Sequence, residues 1–217
     1  MQTSDLRTYY AERAAQYDRI YEKRERQPDI GRLAERLVHA LARAAVLEVA
    51  CGTGFWTQFF APAARSVRAT DCNDAVLRLA AARLGHRPNV AIEYADAYAL
   101  AGVDGQFDAG FAGFWWSHVE KARLGAFLDG FDRKIEPGGR VVFADNLYVH
   151  GSSTPISRTD GDGNTYQWRY LDDGQSFEVL KNFPTEAEFR AAVQGRGRNV
   201  WFERLDFFWC GGYELAD

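Results

Sequence analysis

The stretch VLEVACGTGFW, residues 46–56, decides the fold. In it an apolar segment runs into two glycines, Gly52 and Gly54, yet the segment contains an acid, Glu48. A strand that only filled a core would not carry a carboxylate, and glycine lets the backbone approach a ligand closely. We therefore expect a buried strand whose end binds a ligand, with a negative charge nearby.

Outward from this stretch, predicted strands alternate with predicted helices. The alternation predicts parallel strands joined by right-handed crossovers, which is a doubly wound α/β fold with helices on both faces of one sheet. A helix over 5–26, closed by Pro28, and a second helix over 29–43 precede the first strand. The predicted strands are 45–50, 67–70, 90–94, 107–113 and 140–144, and the helices between them are 55–64, 75–84 and 120–134.

The pattern changes after Asn146. Residues 165–180, TYQWRYLDDGQSFEVL, are typical of a β-hairpin around an Asp-Asp-Gly turn. Residues 185–189, TEAEF, begin a helix with a capping box. The closing segment 198–215 predicts one or two antiparallel strands at the edge of the sheet.

The length of 217 residues suits one domain over 1–217, with residues 1–27 as a helical cover and 147–182 as an insert that covers the substrate. The net charge of −4, with acids and bases interleaved, disfavours a nucleic-acid partner, although proteins that bind single strands can be acidic. The charged first 21 residues are unlike a signal peptide, and no apolar run approaches the roughly 18 residues of a membrane span. We expect a cytoplasmic protein with no membrane partner.

Three cysteines, Cys51, Cys72 and Cys210, lack CxxC spacing and form an odd set. Neither a zinc site nor a disulfide framework is predicted from them. No cluster of His, Asp and Cys has the spacing of metal ligands, so we expect reduced thiols and no bound metal.

Three acids accompany three successive strands: Glu48 in the first, Asp71 at the end of the second and Asp96 at the end of the third. In an open parallel sheet, ligands bind beyond the carboxyl ends of the strands. A carboxylate after the second strand can accept both hydroxyls of a ribose. Each acid alone could be a solvated loop residue, and a lone GxG could serve chain geometry only, but the joint placement predicts a nucleotide-like ligand.

A dinucleotide fits this site less well than a cofactor with an ammonium group. The dinucleotide fingerprint GxGxxG has a third glycine where this chain has Thr57, and Phe55 and Trp56 crowd the start of the helix. Glu48 would repel a diphosphate nearby. A carboxylate suits an ammonium instead.

Five ordered motifs carry a family resemblance: EVACGTG at 48–54, TDCND at 70–74, DAY at 96–98, FDAGF at 107–111 and PGGRVVFAD at 137–145. As a set they resemble the motifs of class I S-adenosylmethionine-dependent methyltransferases over roughly residues 8–145. YYAERAAQYD is also similar to the N-terminal helix that many small-molecule members fold over the cofactor. The resemblance implies a Rossmann-like, mostly parallel seven-stranded sheet with an antiparallel edge strand.

The resemblance further implies S-adenosylmethionine as the cofactor and S-adenosylhomocysteine as its product. The loop with Gly52 and Gly54 would approach the methionine part, and Glu48 would lie near its amino group. Tyr17 or Arg13 would reach the methionine carboxylate, unless Tyr17 is a core aromatic residue.

The nucleoside part is assigned in the same way. Asp71 would hold the ribose hydroxyls, with Cys72 against the adenine face. Asp96 would accept from the exocyclic amine of adenine, and the Ala97 amide would meet a ring nitrogen. Two residues near strand ends, Ala50 and Ala112, complete the cofactor site that the resemblance implies.

The acceptor is expected after the fourth and fifth strands. GFWWSHVEK, residues 113–121, lacks the Asn/Asp-Pro-Pro-aromatic motif of methyltransferases that act on DNA bases. His118, with an ordinary pKa of about 6.5, is the candidate base or acceptor-orienting group, unless it only packs against or caps the next helix. Trp115, Asn146 and Tyr148 are candidate substrate contacts, although Asn146 could equally serve the loop turn.

In the predicted hairpin, Tyr166, Trp168 and Tyr170 share one face and Gln167 and Arg169 share the other. The aromatic face either covers apolar surface or roofs an aromatic-lined acceptor pocket, which makes Tyr166 and Trp168 candidate substrate contacts.

We therefore expect methyl transfer to an N or O nucleophile of a small, aromatic or heteroaromatic molecule. Two alternatives stay open: a non-catalytic module that binds the cofactor or its product, and a nicotinamide-dependent oxidoreductase.

Overall fold

The computed structural model describes Asp18, residues 20–171 and residues 174–216. Most of the predicted helix 5–26 lies outside these residues. Within them the α-helices are α1 (Gln27–Leu41), α2 (Thr57–Phe60), α3 (Asp74–Leu84), α4 (Leu124–Asp132) and α5 (Glu186–Ala192). The strands are β1 (Ala45–Val49), β2 (Ser66–Asp71), β3 (Val90–Tyr94), β4 (Phe107–Gly113), β5 (Ile135–Asn146), β6 (Arg158–Thr159), β7 (Thr165–Tyr170), β8 (Ser176–Leu180), β9 (Gly197–Arg204) and β10 (Phe208–Leu215).

A seven-stranded sheet in the order β3-β2-β1-β4-β5-β10-β9 forms the centre of the molecule. The strands β1 to β5 pair in parallel, whereas β10 runs antiparallel to both of its neighbours. The predicted doubly wound, mostly parallel sheet with an antiparallel edge is confirmed. Strand order reverses beside β1, where Val49 lies opposite Thr70 of β2 and Ala112 of β4, so that the ends of these three strands meet at one edge.

The predicted hairpin is also present, as β7 and β8 of a separate three-stranded sheet that β6 completes. It attaches to the segment after β4, because the Asn182 N–H donates to the Ser117 carbonyl at 2.8 Å. The insert between β5 and α5 is thus held over the edge of the main sheet at which β4 and β5 end.

Both faces of the main sheet are buried. Along β1, Val46 packs into one apolar cluster and Leu47 and Val49 pack into another, as the two-residue period of a strand requires. The largest fully buried side chains of the first cluster include Phe60 and Phe111, and those of the second include Phe127, Phe131 and Phe143. This core fixes the positions of the strand ends at which the candidate site lies.

Prolines explain two differences from the predicted boundaries. Pro28 was expected to close a first helix, but it lies in the first turn of α1, where its fixed φ and missing N–H are tolerated. The helix predicted over 55–64 is only one turn long because Pro62 supplies no N–H to continue it. Within the described residues, no helix combines the length and the hydropathy that a bilayer-spanning segment requires.

Candidate active site

The glycine loop after β1 has a left-handed backbone at three positions, Ala50 (φ 52°), Gly52 (φ 55°) and Gly54 (φ 72°). A Cβ at Gly54 would lie 2.5 Å from Leu84 Cδ1 of α3, so this position also needs glycine for packing. The loop therefore turns tightly and lies close against α3, and its main chain is presented at the end of β1.

Asp71 joins the end of β2 to this loop. Its carboxylate accepts hydrogen bonds from the N–H groups of Gly52 and Asn73, each at 3.0 Å. Cys72, the next residue, is half-buried. The structure thus brings together the predicted ribose-binding acid and the predicted methionine-binding loop.

Glu48 lies beneath the loop and is buried. Its carboxylate accepts a hydrogen bond from the Thr57 hydroxyl at 2.7 Å, and its backbone carbonyl accepts one from the Thr70 hydroxyl at 2.9 Å. Burial raises the pKa of Glu48 to about 8, a rise that the Thr57 hydrogen bond opposes and the charge of Asp71 increases. A cation placed beside this carboxyl group would favour its ionised form.

At the end of β3, Asp96 accepts a hydrogen bond from the Tyr98 N–H at 2.8 Å, and Ala97 between them is buried. On β4, Ala112 is fully buried within the sheet. Its methyl group packs in the core, so only its main chain can contribute to a cofactor site. Tyr17 lies outside the described residues.

The residues that precede α1 form a cover over the glycine loop. Asp18 forms an ion pair with Arg83 of α3 and accepts a hydrogen bond from the Thr53 hydroxyl at 2.7 Å. Tyr21 stacks on Phe55 with ring centroids 3.9 Å apart. Sequence reasoning missed the contact between Asp18 and Arg83, because nothing in the local pattern around either residue indicates a partner so distant in the chain.

A cavity of about 230 Å³ opens where β4 and β5 end. Phe114, which follows β4, and Asn146, the last residue of β5, line it together with His118. The cover contributes Ile20, Lys23 and Arg26, the loop after β5 contributes Ser152, Ser153 and Thr154, and the hairpin side contributes Gln167, Arg169, Lys181 and Phe183. The cavity is thus enclosed by both segments that the sequence assigns to covers.

A buried polar network forms the floor of this cavity. Lys181 Nζ donates to the Ser117 hydroxyl at 2.6 Å and lies 3.1 Å from the Asp145 carboxylate. Although burial alone would raise the pKa of Asp145, the charge of Lys181 and the hydrogen bonds donated by the Ser117 and Asn146 N–H groups hold it below its usual range. Sequence reasoning missed this pair. The available signals are that Asp145 lies at the end of apolar strand β5 and that Lys181 directly follows apolar strand β8.

His118 is buried beside this network and lines the cavity. Its Nδ1 lies 2.8 Å from the Leu180 carbonyl oxygen, so Nδ1 carries the proton and Nε2 the lone pair. Burial, and then the charge of Lys181, lower the pKa of His118 to about 3. The imidazole is neutral at neutral pH and is a weak base.

The hairpin presents the face opposite to the one expected. Gln167 and Arg169 line the cavity, whereas Tyr166 and Trp168 project from the other side of the strand. Tyr166 donates to Asp160 at 2.9 Å, and Trp168 is 44% exposed. The polar face turns inward because its side chains hydrogen-bond to Thr154 and to each other.

Two further candidate contacts lie away from the cavity. Tyr148 is 37% exposed and packs on Phe183, with ring centroids 5.3 Å apart, in a neighbouring apolar groove. Trp115 packs between Tyr98 and Phe127 on the side of β3 and α4. Of the candidate substrate contacts, Asn146 lines the cavity.

Comparisons with known proteins agree with this geometry. Residues 46–139 match a family model described as a methyltransferase domain. A demethylmenaquinone methyltransferase of Clavibacter sepedonicus is 33% identical over 110 residues, which cover 51% of this chain and 44% of that protein. The matched region therefore spans less than half the length of that relative.

Two solved structures are similar over nearly the whole chain. A DhpI–SAH complex is 29% identical with a TM-score of 0.77, and the alignment covers 98% of this chain and 96% of that one. A DhpI–SAM–HEP complex is 28% identical with a TM-score of 0.78, covering 96% and 95%. The sheet order, the ordered motifs and these matches are together those of class I S-adenosylmethionine-dependent methyltransferases, which this chain resembles over nearly its whole length.

Proposed function

We propose that this chain transfers the methyl group of S-adenosylmethionine to an N or O nucleophile of a small molecule bound in the cavity beside β4 and β5. The observation that carries the proposal is that this cavity adjoins the strand end expected to face the methyl group and is enclosed by the N-terminal cover and the insert. A macromolecular acceptor does not suit a space of about 230 Å³.

The predicted cofactor residues keep their proposed roles. Asp71 holds the ribose hydroxyls beside Cys72, and Asp96 with the Ala97 amide binds adenine. The tight loop at Ala50, Gly52 and Gly54 receives the methionine part, and Ala112 and Tyr17 complete the site.

The environment of Glu48 fits a cofactor that carries an ammonium group. A buried acid with a pKa near 8 lies beneath the loop, and the ammonium group of the cofactor would favour its ionised form. The DhpI complexes with SAH and with SAM support the same choice of cofactor.

The bound cofactor supplies a methyl group on a sulfonium, which leaves as a neutral thioether. The protein then has to hold the nucleophile in line and keep water away, which is the role of the cover and the insert. His118 orients the acceptor through a neutral imidazole whose tautomer the Leu180 carbonyl fixes. Its low pKa makes it a weak proton acceptor, so the nucleophile should need little help in losing a proton.

The expectation of an aromatic acceptor depended on aromatic side chains of the insert lining the acceptor cavity. Tyr166, Trp168 and Tyr148 are not among the described residues that line the cavity, which are mostly polar apart from Ile20, Phe114 and Phe183. We therefore retain a small N or O acceptor and drop the requirement for an aromatic ring.

Incubation with methyl-labelled S-adenosylmethionine and a low-mass metabolite extract tests the proposal. Label should enter a low-mass product with the wild-type chain and much more slowly with Asp71→Asn at the same low cofactor concentration. Label found only on RNA or protein would contradict the proposal. Tight binding of S-adenosylhomocysteine without turnover of any nucleophile would favour the non-catalytic module instead.

A further inference from the structure

The lining of the acceptor cavity is strongly cationic. Lys23, Arg26, Arg169 and Lys181 all face it, and none of the described residues that line it is an acid. Asp145, which lies beneath the lining, forms an ion pair with Lys181. Within the part of the chain that the structure describes, four positive charges line a space of about 230 Å³ and one negative charge lies beneath it.

Arg26 forms no ion pair with another described residue, although the charge of the adjacent Glu25 favours its charged form. It is only 9% exposed, its Nε is buried without a hydrogen-bond partner, and its Nη2 is 3.4 Å from the Ser152 hydroxyl. Burial lowers its pKa, yet a guanidinium remains charged in proteins. A buried guanidinium that is not in direct contact with a carboxylate is unfavourable unless an anion approaches it.

Arg169 is held in a fixed orientation by neutral groups. Its Nη1 donates to the Thr154 hydroxyl at 2.6 Å and its Nη2 to the Gln167 side-chain oxygen at 2.7 Å. It forms no ion pair within the part of the chain that the structure describes. A guanidinium oriented in advance binds the oxygens of a carboxylate or a phosphoryl group well.

We propose, building on the proposed function, that the acceptor is a small oxyacid whose anionic group binds between Arg26 and Arg169 and is methylated on oxygen. The ligand is a carboxylate, phosphate or phosphonate. A lone pair of the anionic oxygen attacks the methyl carbon, the C–S bond breaks, and its electron pair stays on sulfur. The oxyanion and the sulfonium become a neutral ester linkage and a neutral thioether, and no proton is transferred.

The weak basicity of His118 agrees with this chemistry. An oxyanion is already ionised at neutral pH, so methyl transfer to it needs no general base. His118 and Asn146, which both line the cavity, then serve as positioning residues for the uncharged part of the acceptor.

Calorimetric titration of the full chain saturated with S-adenosylhomocysteine tests the anion site. The probes are acetate, inorganic phosphate and methylphosphonate, with methyl acetate as the neutral control. At least one anion should bind saturably and methyl acetate should not, and the preferred anion separates a carboxylate from a phosphoryl acceptor. Arg26→Gln and Arg169→Gln should weaken anion binding about 10- to 100-fold and leave the affinity for S-adenosylhomocysteine unchanged.

Two further variants control for folding and for loss of any surface charge. Arg26→Lys keeps the charge and should recover part of the affinity lost in Arg26→Gln. Arg36→Gln removes an exposed arginine that pairs with Glu203 away from the cavity, and it should bind anions like the wild type. Thermal melts of all variants show whether each one folds.

Label transfer from the cofactor to a panel of small acids identifies the methylated atom. Alkali releases labelled methanol from a carboxyl ester, whereas phosphate and phosphonate monomethyl esters withstand it. A labelled product whose methyl group is bonded to carbon, nitrogen or sulfur, with every oxygen of the acid group unmethylated, would overturn the assignment to oxygen.

Three binding outcomes would also overturn the inference. If S-adenosylhomocysteine binds but no anion does, the inference fails and the proposed function stands. If the arginine variants lose the affinity for S-adenosylhomocysteine as much as that for anions, the arginines hold the cofactor carboxylate instead. If the wild type binds no S-adenosylhomocysteine, both proposals fail.

Discussion

Replacing Glu48 by Gln should change how the stability of the protein without cofactor depends on pH. The glutamine side chain cannot ionise, but it keeps an oxygen that can accept the hydrogen bond from the Thr57 hydroxyl. In the wild type, the folded carboxyl has a pKa of about 8 against 4.5 in the unfolded chain, because burial disfavours its charged form. Between about pH 4.5 and pH 8, the Glu48 carboxyl therefore keeps a proton in the folded chain that it has lost in the unfolded chain.

This difference in bound protons sets the direction and the size of the change in unfolding free energy with pH. The contribution of Glu48 to stability is fully present below pH 4.5 and is lost as the pH rises through about 8. One proton of difference corresponds to about 1.4 kcal/mol per pH unit, or roughly 3–4 kcal/mol between about pH 5 and pH 8. The unfolding free energy of Glu48→Gln, measured relative to that of the wild type, should therefore rise by this amount as the pH is raised over the same interval.

Urea unfolding at several pH values, followed by circular dichroism, measures the difference. Glu186→Gln is the matched control, because Glu186 is exposed and pairs with Arg190 on the surface. Its pH profile should run parallel to that of the wild type. Parallel profiles for Glu48→Gln as well would show that Glu48 is ionised in the folded protein without cofactor, and the reasoning would be wrong.

Four other predictions follow from the structure. Asp71→Asn should raise the dissociation constant of S-adenosylhomocysteine about 10- to 100-fold, through loss of charge-assisted hydrogen bonds, and an unchanged constant in calorimetry would remove Asp71 from the site. His118→Gln should lower turnover with unchanged cofactor affinity; equal rates across the pH range would leave His118 a structural residue. Arg83→Gln breaks the ion pair with Asp18 and should speed cofactor release in stopped-flow experiments while lowering the free energy of unfolding by less than about 1 kcal/mol. Thr185→Ala removes the capping box of α5 and should lower that free energy by about 1 kcal/mol, and no change in urea unfolding would show that the cap is energetically neutral.

The sheet could be predicted because its signals are local. Strands β3 and β4 have the predicted boundaries, since each is a short apolar run between turn residues. The capping box at Thr185 was likewise readable from four consecutive residues. Boundaries failed where a proline has two roles, as at Pro28, which can end one helix or begin the next.

The acceptor side could be predicted only in part, because distant contacts decide it. The sequence correctly separates the two faces of β7, but it does not say which face turns inward. That choice depends on Thr154, which hydrogen-bonds to both Gln167 and Arg169 from outside the hairpin. The sequence left open whether the aromatic face covers apolar surface or lines the acceptor pocket, and a network of buried hydrogen bonds turns the polar face toward the cavity.

The buried pair of Asp145 and Lys181 joins residues 36 positions apart. Each has a local signal, because Asp145 lies at the end of apolar strand β5 and Lys181 directly after β8, but only the tertiary structure pairs them. The cofactor side was easier to predict, because its residues all follow strands that end at one edge of the sheet.

A crystal structure of the chain with S-adenosylhomocysteine bound tests the central claim most directly. The account predicts that the ribose hydroxyls lie within hydrogen-bond distance of the Asp71 carboxylate and that the sulfur faces the cavity lined by Phe114 and Asn146. A ribose bound elsewhere, or a sulfur that faces away from this cavity, would contradict it.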